Sequence, residues 1–249
     1  AYGASQVPSW ARLGHLYLVG HFYNTYAPGG VGGDVVRGVA SRRAFGDASW
    51  ASGTSGVAVV FVERVCGVSA LLTLAASAYL VWPISGVEHV ELVAVLGLLA
   101  SAGAIFGIAV AHRLSEFLPA RLSKPLRALP RLVDGGSFGW AVVLSFLIHI
   151  ISILAVHAIM LSLFPPVKLS ASAVAVPLIT ASVFFPLTVG GAGLREAAFA
   201  ALYGAVGVPE AVAYAGSLSI WATQLITAGI GGCINLWVPL SPEDREPAD

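Results

Sequence analysis

Pro28-Gly-Gly-Val-Gly-Gly-Asp-Val-Val-Arg37 and Pro186-Leu-Thr-Val-Gly-Gly-Ala-Gly-Leu-Arg195 share the spacing P-x-x-V-G-G-x-x-x-R, and both interrupt long apolar stretches. Proline removes a backbone donor and glycine relaxes the helical constraint. In hydrocarbon such breaks persist only where protein or a water-filled cavity satisfies the freed groups. Matching breaks in two halves of an apolar chain are the pattern of a membrane carrier whose discontinuous helices meet at a binding site.

Composition agrees with a membrane location. Hydrophobic residues make up 57% of the chain and charged residues 10%, against about 25% charged in soluble domains; mean hydropathy is +0.84. The formal net charge is zero and the basic residues are grouped, which argues against a nucleic-acid partner, since that needs a continuous basic footprint. Cys66 and Cys233 both lie in apolar stretches, where a thiol acts as a small hydrophobe, and two such residues define no disulfide framework. The chain opens Ala1-Tyr2-Gly3, without the charged, apolar and small-residue succession of a secretory signal.

A bilayer core needs roughly 20 apolar residues as helix, and residues 57–82, 90–111, 138–164 and 211–238 meet that length. Two further stretches, 10–26 and 171–186, have helical composition but stop at Pro28 and Pro186, each followed by glycines and a second short helical segment. The link between the second and third full spans carries Arg113, Arg121, Lys124, Arg127 and Arg131 against Glu116 and Asp134, which makes residues 112–137 the cytoplasmic loop of a cell-membrane protein. Residues 83–89 have no lysine or arginine and 165–170 have Lys168 alone, whereas Arg42 and Arg43 precede the first full span, so the sides alternate consistently. Three full spans separate the motif copies, and an odd number inverts the second copy relative to the first. The expected fold is all-α: a polytopic membrane helical bundle with two broken or re-entrant helix pairs in an inverted repeat. It forms one transmembrane domain, with a first half-repeat of about 1–111, a second of about 138–238 and an acidic tail at 239–249. Whether the broken helices re-enter or cross stays open. The second copy is preceded by a full span and the first is not, so symmetry predicts at least one span upstream of Ala1.

Two half-helix tips facing one another near the midplane would present unpaired N–H groups and positive dipole ends to an anion such as phosphate. Arg37 and Arg195 would add guanidinium forks matched to phosphate oxygens. Gly29, Gly30, Gly32 and Gly33 in one copy, and Gly190, Gly191 and Gly193 in the other, permit tight turns and close approach to a ligand; the same glycines also suit close helix packing. Asp34 and Glu196 are placed to neutralise the neighbouring arginines when no ligand is bound, or to take up a proton as the carrier reorients; charge pairing is the favoured reading, because nothing in the sequence indicates a relay. Glu63 and Arg64 are adjacent on one span and point to different sides, so each needs a partner elsewhere, with snorkelling to the surface as the alternative for Arg64. Asn24, with Tyr23 and Tyr26, is placed either to contact a head group or to cap a half-helix.

His149 and His157 are two turns apart on one span, near Ser145 and Ser152, and interhelical hydrogen bonding is the expectation for both. No further ligands are spaced for a metal. Ser217, Gln224 and Thr227 form a polar strip on the last span that should face the bundle. The sequence contains no G-x-S-x-G, P-loop, H-E-x-x-H or C-x-x-C, and Gly30-x-Gly32 lacks the context of a dinucleotide site. A non-enzyme without cofactor is expected.

With these residues assembled, the chain resembles the lysylphosphatidylglycerol synthase transmembrane-region family, the flippase-like membrane module of multiple peptide resistance factors and stand-alone relatives. The matching stretches are Asn24-Thr-Tyr-Ala-Pro-Gly-Gly-Val-Gly-Gly-Asp-Val-Val-Arg37, Val62-Glu-Arg-Val-Cys-Gly67 and Pro186-Leu-Thr-Val-Gly-Gly-Ala-Gly-Leu-Arg-Glu196. The resemblance implies a protein that moves an anionic, aminoacylated or glycosylated polar lipid between leaflets. It places the glycine-rich breaks, Arg37, Arg195, Glu196 and the Glu63-Arg64 pair near the head-group path. The soluble aminoacyl-transferase domain of two-part members is missing from the chain, as are the family's first spans. Two alternatives stand beside transport: a non-transporting subunit that presents lipid to a separate lipid-modifying transferase, and a polyprenyl-phosphate carrier. The lipid, the driving force and any homo-oligomer are left open.

Overall fold

The computed structural model describes residues 9–27, 32–40, 55–83, 90–119, 123, 126, 129, 135–184 and 192–240. Their elements are helical throughout, with no strand among the described residues: α1 (Trp10–Tyr26), α2 (Gly32–Ala40), α3 (Ser55–Val81), α4 (Val90–Phe117), α5 (Gly135–Leu163), α6 (Leu169–Phe184), α7 (Leu194–Gly204) and α8 (Glu210–Trp237). Pro28, Gly29, Gly30, Pro186, Gly190, Gly191, the acidic residues of the tail and most of the basic link lie outside the described residues.

α3, α4, α5 and α8 contain segments long and apolar enough to cross a membrane: Ala58–Val81, Ala94–Ala111, Phe138–Leu163 and Glu210–Trp237. Their surfaces make the same point. Only 6% of the α5 segment is buried, against 44% of the α3 segment, so Leu147, Ile148, Ile151 and Leu154 stand exposed along α5. An apolar face that continuous suits lipid chains as its solvent, because a water-soluble monomer rarely exposes one.

The interrupted stretches end where the prolines require. α1 begins at the N-cap Ser9, whose hydroxyl accepts the Arg12 N–H at 3.3 Å. It stops at Tyr26, two residues before Pro28, and α6 stops at Phe184, two residues before Pro186; the residue preceding a proline is disfavoured in helical geometry. α1 then packs on α2, and α6 on α7.

Both pairs are antiparallel hairpins. Asn24, near the end of α1, bonds to Gly33 and Asp34 at the start of α2, while Tyr17, about two turns earlier, lies under Arg37 further along α2. Ser172, at the start of α6, receives the hydroxyl of Tyr203, at the end of α7. Close approach in the first hairpin depends on glycine. A Cβ on Gly33 would fall on the carbonyl oxygen of Gly20, and one on Gly20 would meet the Arg37 side chain. Small residues let helices approach in this way without any ligand, so packing explains Gly33.

The chain divides into two compact units, one formed by residues 1–65, 105–141 and 225–249, the other by 66–104 and 142–224. The first holds α1 and α2, with Leu16, Val19, Ala40 and Leu240 as its buried apolar cluster. Within it, Tyr26 donates its hydroxyl to the Leu225 carbonyl at 3.1 Å, and Gly231 and Gly232 on α8 lie against Leu18 and Phe22 on α1. The second unit holds α6 and α7, packed around Met160, Ala175, Ile179, Phe199 and Tyr203. A smaller cluster joins Ala76, Tyr79 and Ala94 to Val174. Pro177 lies inside α6 and is fully buried, so one helical hydrogen bond is missing there.

Candidate functional sites: two arginine clusters

In the first unit, Asn24 bridges the break. Its Oδ1 accepts the N–H groups of Gly33 at 2.8 Å and Asp34 at 3.3 Å, and its Nδ2 donates to Asp34 Oδ1 at 3.2 Å. Asn24 therefore caps a helix, and the helix capped is α2, across the break. The expectation of vacant N–H groups at this tip is thereby corrected for Gly33 and Asp34: a helix start carries unpaired donors, and a neighbouring amide satisfies them. Asn24→Ala should cost about 1 kcal/mol, the usual worth of an N-cap side chain. Faster amide hydrogen exchange at Gly33 and Asp34 is the measurement that checks it.

The ion pairs differ from the sequence expectation. Asp34 does not pair with Arg37. It accepts a fork from Arg64, with Nε to Oδ2 and Nη2 to Oδ1 both at 2.8 Å, and Arg37 Nη2 donates to Glu63 Oε2 at 2.6 Å. The reason is geometric. Adjacent residues on a helix diverge by about 100°, so Glu63 and Arg64 on α3 reach separate partners on α2. Arg37 meanwhile lies along α1 at Gly20, its guanidinium 5.5 Å from the Tyr17 ring centroid. Arg64 is turned to Asp34.

The second cluster is built differently around the matching arginine. Arg195 is 5% exposed. Its Nε donates to Ser217 Oγ at 3.3 Å, Nη1 to Gln224 Oε1 at 3.0 Å and Nη2 to Glu196 Oε1 at 3.4 Å. The Trp221 ring lies 5.8 Å from the guanidinium, and spacings of four and three residues place Ser217, Trp221 and Gln224 on one face of α8. The expected neutralisation of Arg195 by Glu196 is present. Glu196 also accepts the Gly193 N–H at 2.5 Å and the Ser217 hydroxyl at 3.0 Å, so the Gly193 N–H is not vacant either. Gly193 itself has φ +83° with nothing near its Cβ position; this glycine serves the turn and not packing.

Both histidines bond between helices, as expected. His149 Nε2 lies 3.0 Å from the Gly67 carbonyl oxygen, and His157 Nδ1 3.0 Å from Ser172 Oγ. Ser172 Oγ accepts the Tyr203 hydroxyl at 3.0 Å, which forms a chain His157–Ser172–Tyr203 whose last two members are buried. Sequence reasoning missed its last two members, as it missed Tyr17 and Trp221 beside the arginines. An aromatic within a helix registers as apolar until its neighbour across the interface is known.

A family model described as "Lysylphosphatidylglycerol synthase TM region" matches residues 4–232. No curated protein and no solved structure matched the chain.

Proposed function

Because the chain belongs to the lysylphosphatidylglycerol synthase transmembrane-region family, a membrane-module family linked to lipid handling, we propose that it moves a phosphate-bearing polar lipid between leaflets. The acyl chains stay in the bilayer, and the protein carries the head group without chemical change. Aminoacylated and glycosylated lipids fall within this class.

One observation carries the proposal: each hairpin holds an arginine at the matching motif position with its guanidinium in a polar cluster, Arg37 with Glu63 and Arg195 with Glu196, Ser217 and Gln224. Charges set into lipid-soluble sequence are costly and functional by default. Arg37 is the better head-group ligand, because its side chain is 21% exposed and its partner Glu63 is 51% exposed, whereas Arg195 is enclosed. Asn24, Asp34 and Arg64 form a braced network of their own beside it, which fixes α2 against α1 and α3.

The topology we propose is inverted. The antiparallel register of each hairpin supports re-entry, since both ends of such a pair lie on one side. The first hairpin also shares its compact unit with the basic link that carries Arg113, while the second belongs to the other unit. The positive-inside rule puts that link in the cytoplasm, and three long apolar helices lie between the hairpins.

The test is leaflet exchange in liposomes, using acyl-labelled fluorescent phospholipids and surface quenching. The wild-type chain should accelerate exchange, and Arg37→Ala should slow it by about tenfold or more, since a hydrogen bond to a charged group is worth about 1.5–3 kcal/mol. Lack of exchange by the wild type would favour a subunit that presents lipid to a separate transferase. Exchange untouched by Arg37→Ala would remove this residue from the path.

A further inference from the structure

The four charges of the first cluster cancel: Asp34 and Glu63 against Arg37 and Arg64. The two pairs are unequal in construction. Arg64 and Asp34 meet through two parallel bonds and Asn24 braces the carboxylate, while Arg37 and Glu63 meet through a single contact, Nη2 to Oε2, with Glu63 half exposed. Forked pairs hold geometry more firmly than single contacts. The Arg37–Glu63 pair is therefore the one a ligand can open, and the Asp34–Arg64 pair is the frame.

Opening it with a simple anion has a cost. A phosphate that takes Arg37 leaves the Glu63 carboxylate without its counterion beside an apolar span, and uncompensated charge in such surroundings is expensive. A head group that brings its own cation avoids this. The phosphate takes the guanidinium, the ammonium takes the carboxylate, and the cluster stays neutral throughout.

From this pairing we infer that the cluster selects net-neutral zwitterionic head groups, one phosphate with one primary ammonium, over net-anionic ones, and that Glu63 is the specificity-determining residue. The inference rests on Arg37 being the phosphate ligand of the proposed transport site. A primary ammonium can donate to Glu63 where a quaternary one cannot, so choline head groups rank below ethanolamine.

The experiment measures binding, not movement. Dihexanoyl phosphatidylethanolamine, phosphatidylglycerol and phosphatidylcholine are titrated against the detergent-solubilised chain, with calorimetry as the readout. The expected result is ethanolamine lipid bound about tenfold more tightly than glycerol lipid, the scale of one charge-assisted hydrogen bond. Glu63→Gln, which keeps shape and one acceptor for Arg37, should bring that ratio toward one, and Glu63→Asp should restore part of it. Arg37→Ala should weaken both lipids together. Equal or tighter binding of the glycerol lipid by the wild type, an unchanged ratio in Glu63→Gln, or no binding of either lipid overturns the inference. A chain that binds with this preference yet exchanges no lipid overturns the transport proposal alone.

Discussion

Arg195→Ala should lower the stability of the chain by about 3–5 kcal/mol, the range for breaking a buried pair by deleting one partner. At about 2–4 °C per kcal/mol for a chain of this size, the melting midpoint in detergent should fall by about 10 °C. The loss is large because Glu196 loses its buried counterion, keeping the Ser217 hydroxyl and the Gly193 N–H, while Ser217 Oγ and Gln224 Oε1 each lose the donor that Arg195 supplied. Replacing both charges, Arg195→Met with Glu196→Gln, should recover much of the loss, since removing both partners of a buried pair is far less costly than removing one. Recovery that fails would assign the effect to packing against Trp221. Arg37→Ala should behave otherwise. Its pair with half-exposed Glu63 is a single charge-assisted contact worth about 1.5 kcal/mol, so that variant should lose less than Arg195→Ala, fold, and lose its transport function. The matched arginines are thus separable by experiment, one through the melting curve and one through lipid exchange.

Gly33→Ala is the second large expectation. The added methyl would fall on the backbone carbonyl of Gly20, and backbone, unlike a side-chain tip, cannot turn aside. The first hairpin would have to separate, at a cost of about 3 kcal/mol or more, and Asn24 would lose its two N–H donors with it. Gly14→Ala is the control on the same hairpin, because nothing lies within 4 Å of its Cβ position. A melting midpoint that drops sharply for Gly33→Ala and holds for Gly14→Ala is the outcome expected. Equal midpoints would mean that the hairpin tolerates a wider spacing than its glycines suggest.

The placement of helices was legible in the chain because its determinants are local. Proline two residues ahead stops α1 and α6, and runs of apolar residues set the four long helices within about three residues at most ends, though α4 runs on through Arg113 to Phe117. Partner choice was not local. Asp34 and Arg37 are one helical turn apart, a spacing that suggests a pair, yet α3 offers each a better-aligned partner. That Glu63 and Arg64 must look elsewhere followed from their adjacency; which residues they find depends on the register of α2 against α3, which no window of sequence contains. The polar strip of α8 was expected to face inward throughout; Ser217 is buried, whereas Gln224 and Thr227 are exposed, although Ser217 and Gln224 both bond to Arg195.

The hydroxyl chain of the second hairpin bears on chain entropy. Tyr203 and Ser172 are 31 residues apart in sequence and bonded at the end of the hairpin remote from the break. Their contact, anchored to α5 through His157, closes a loop that contains the whole tip, and loop-closure entropy grows only slowly with length. Once the base is fastened, every further contact between α6 and α7 forms within a loop already closed and adds little closure entropy of its own.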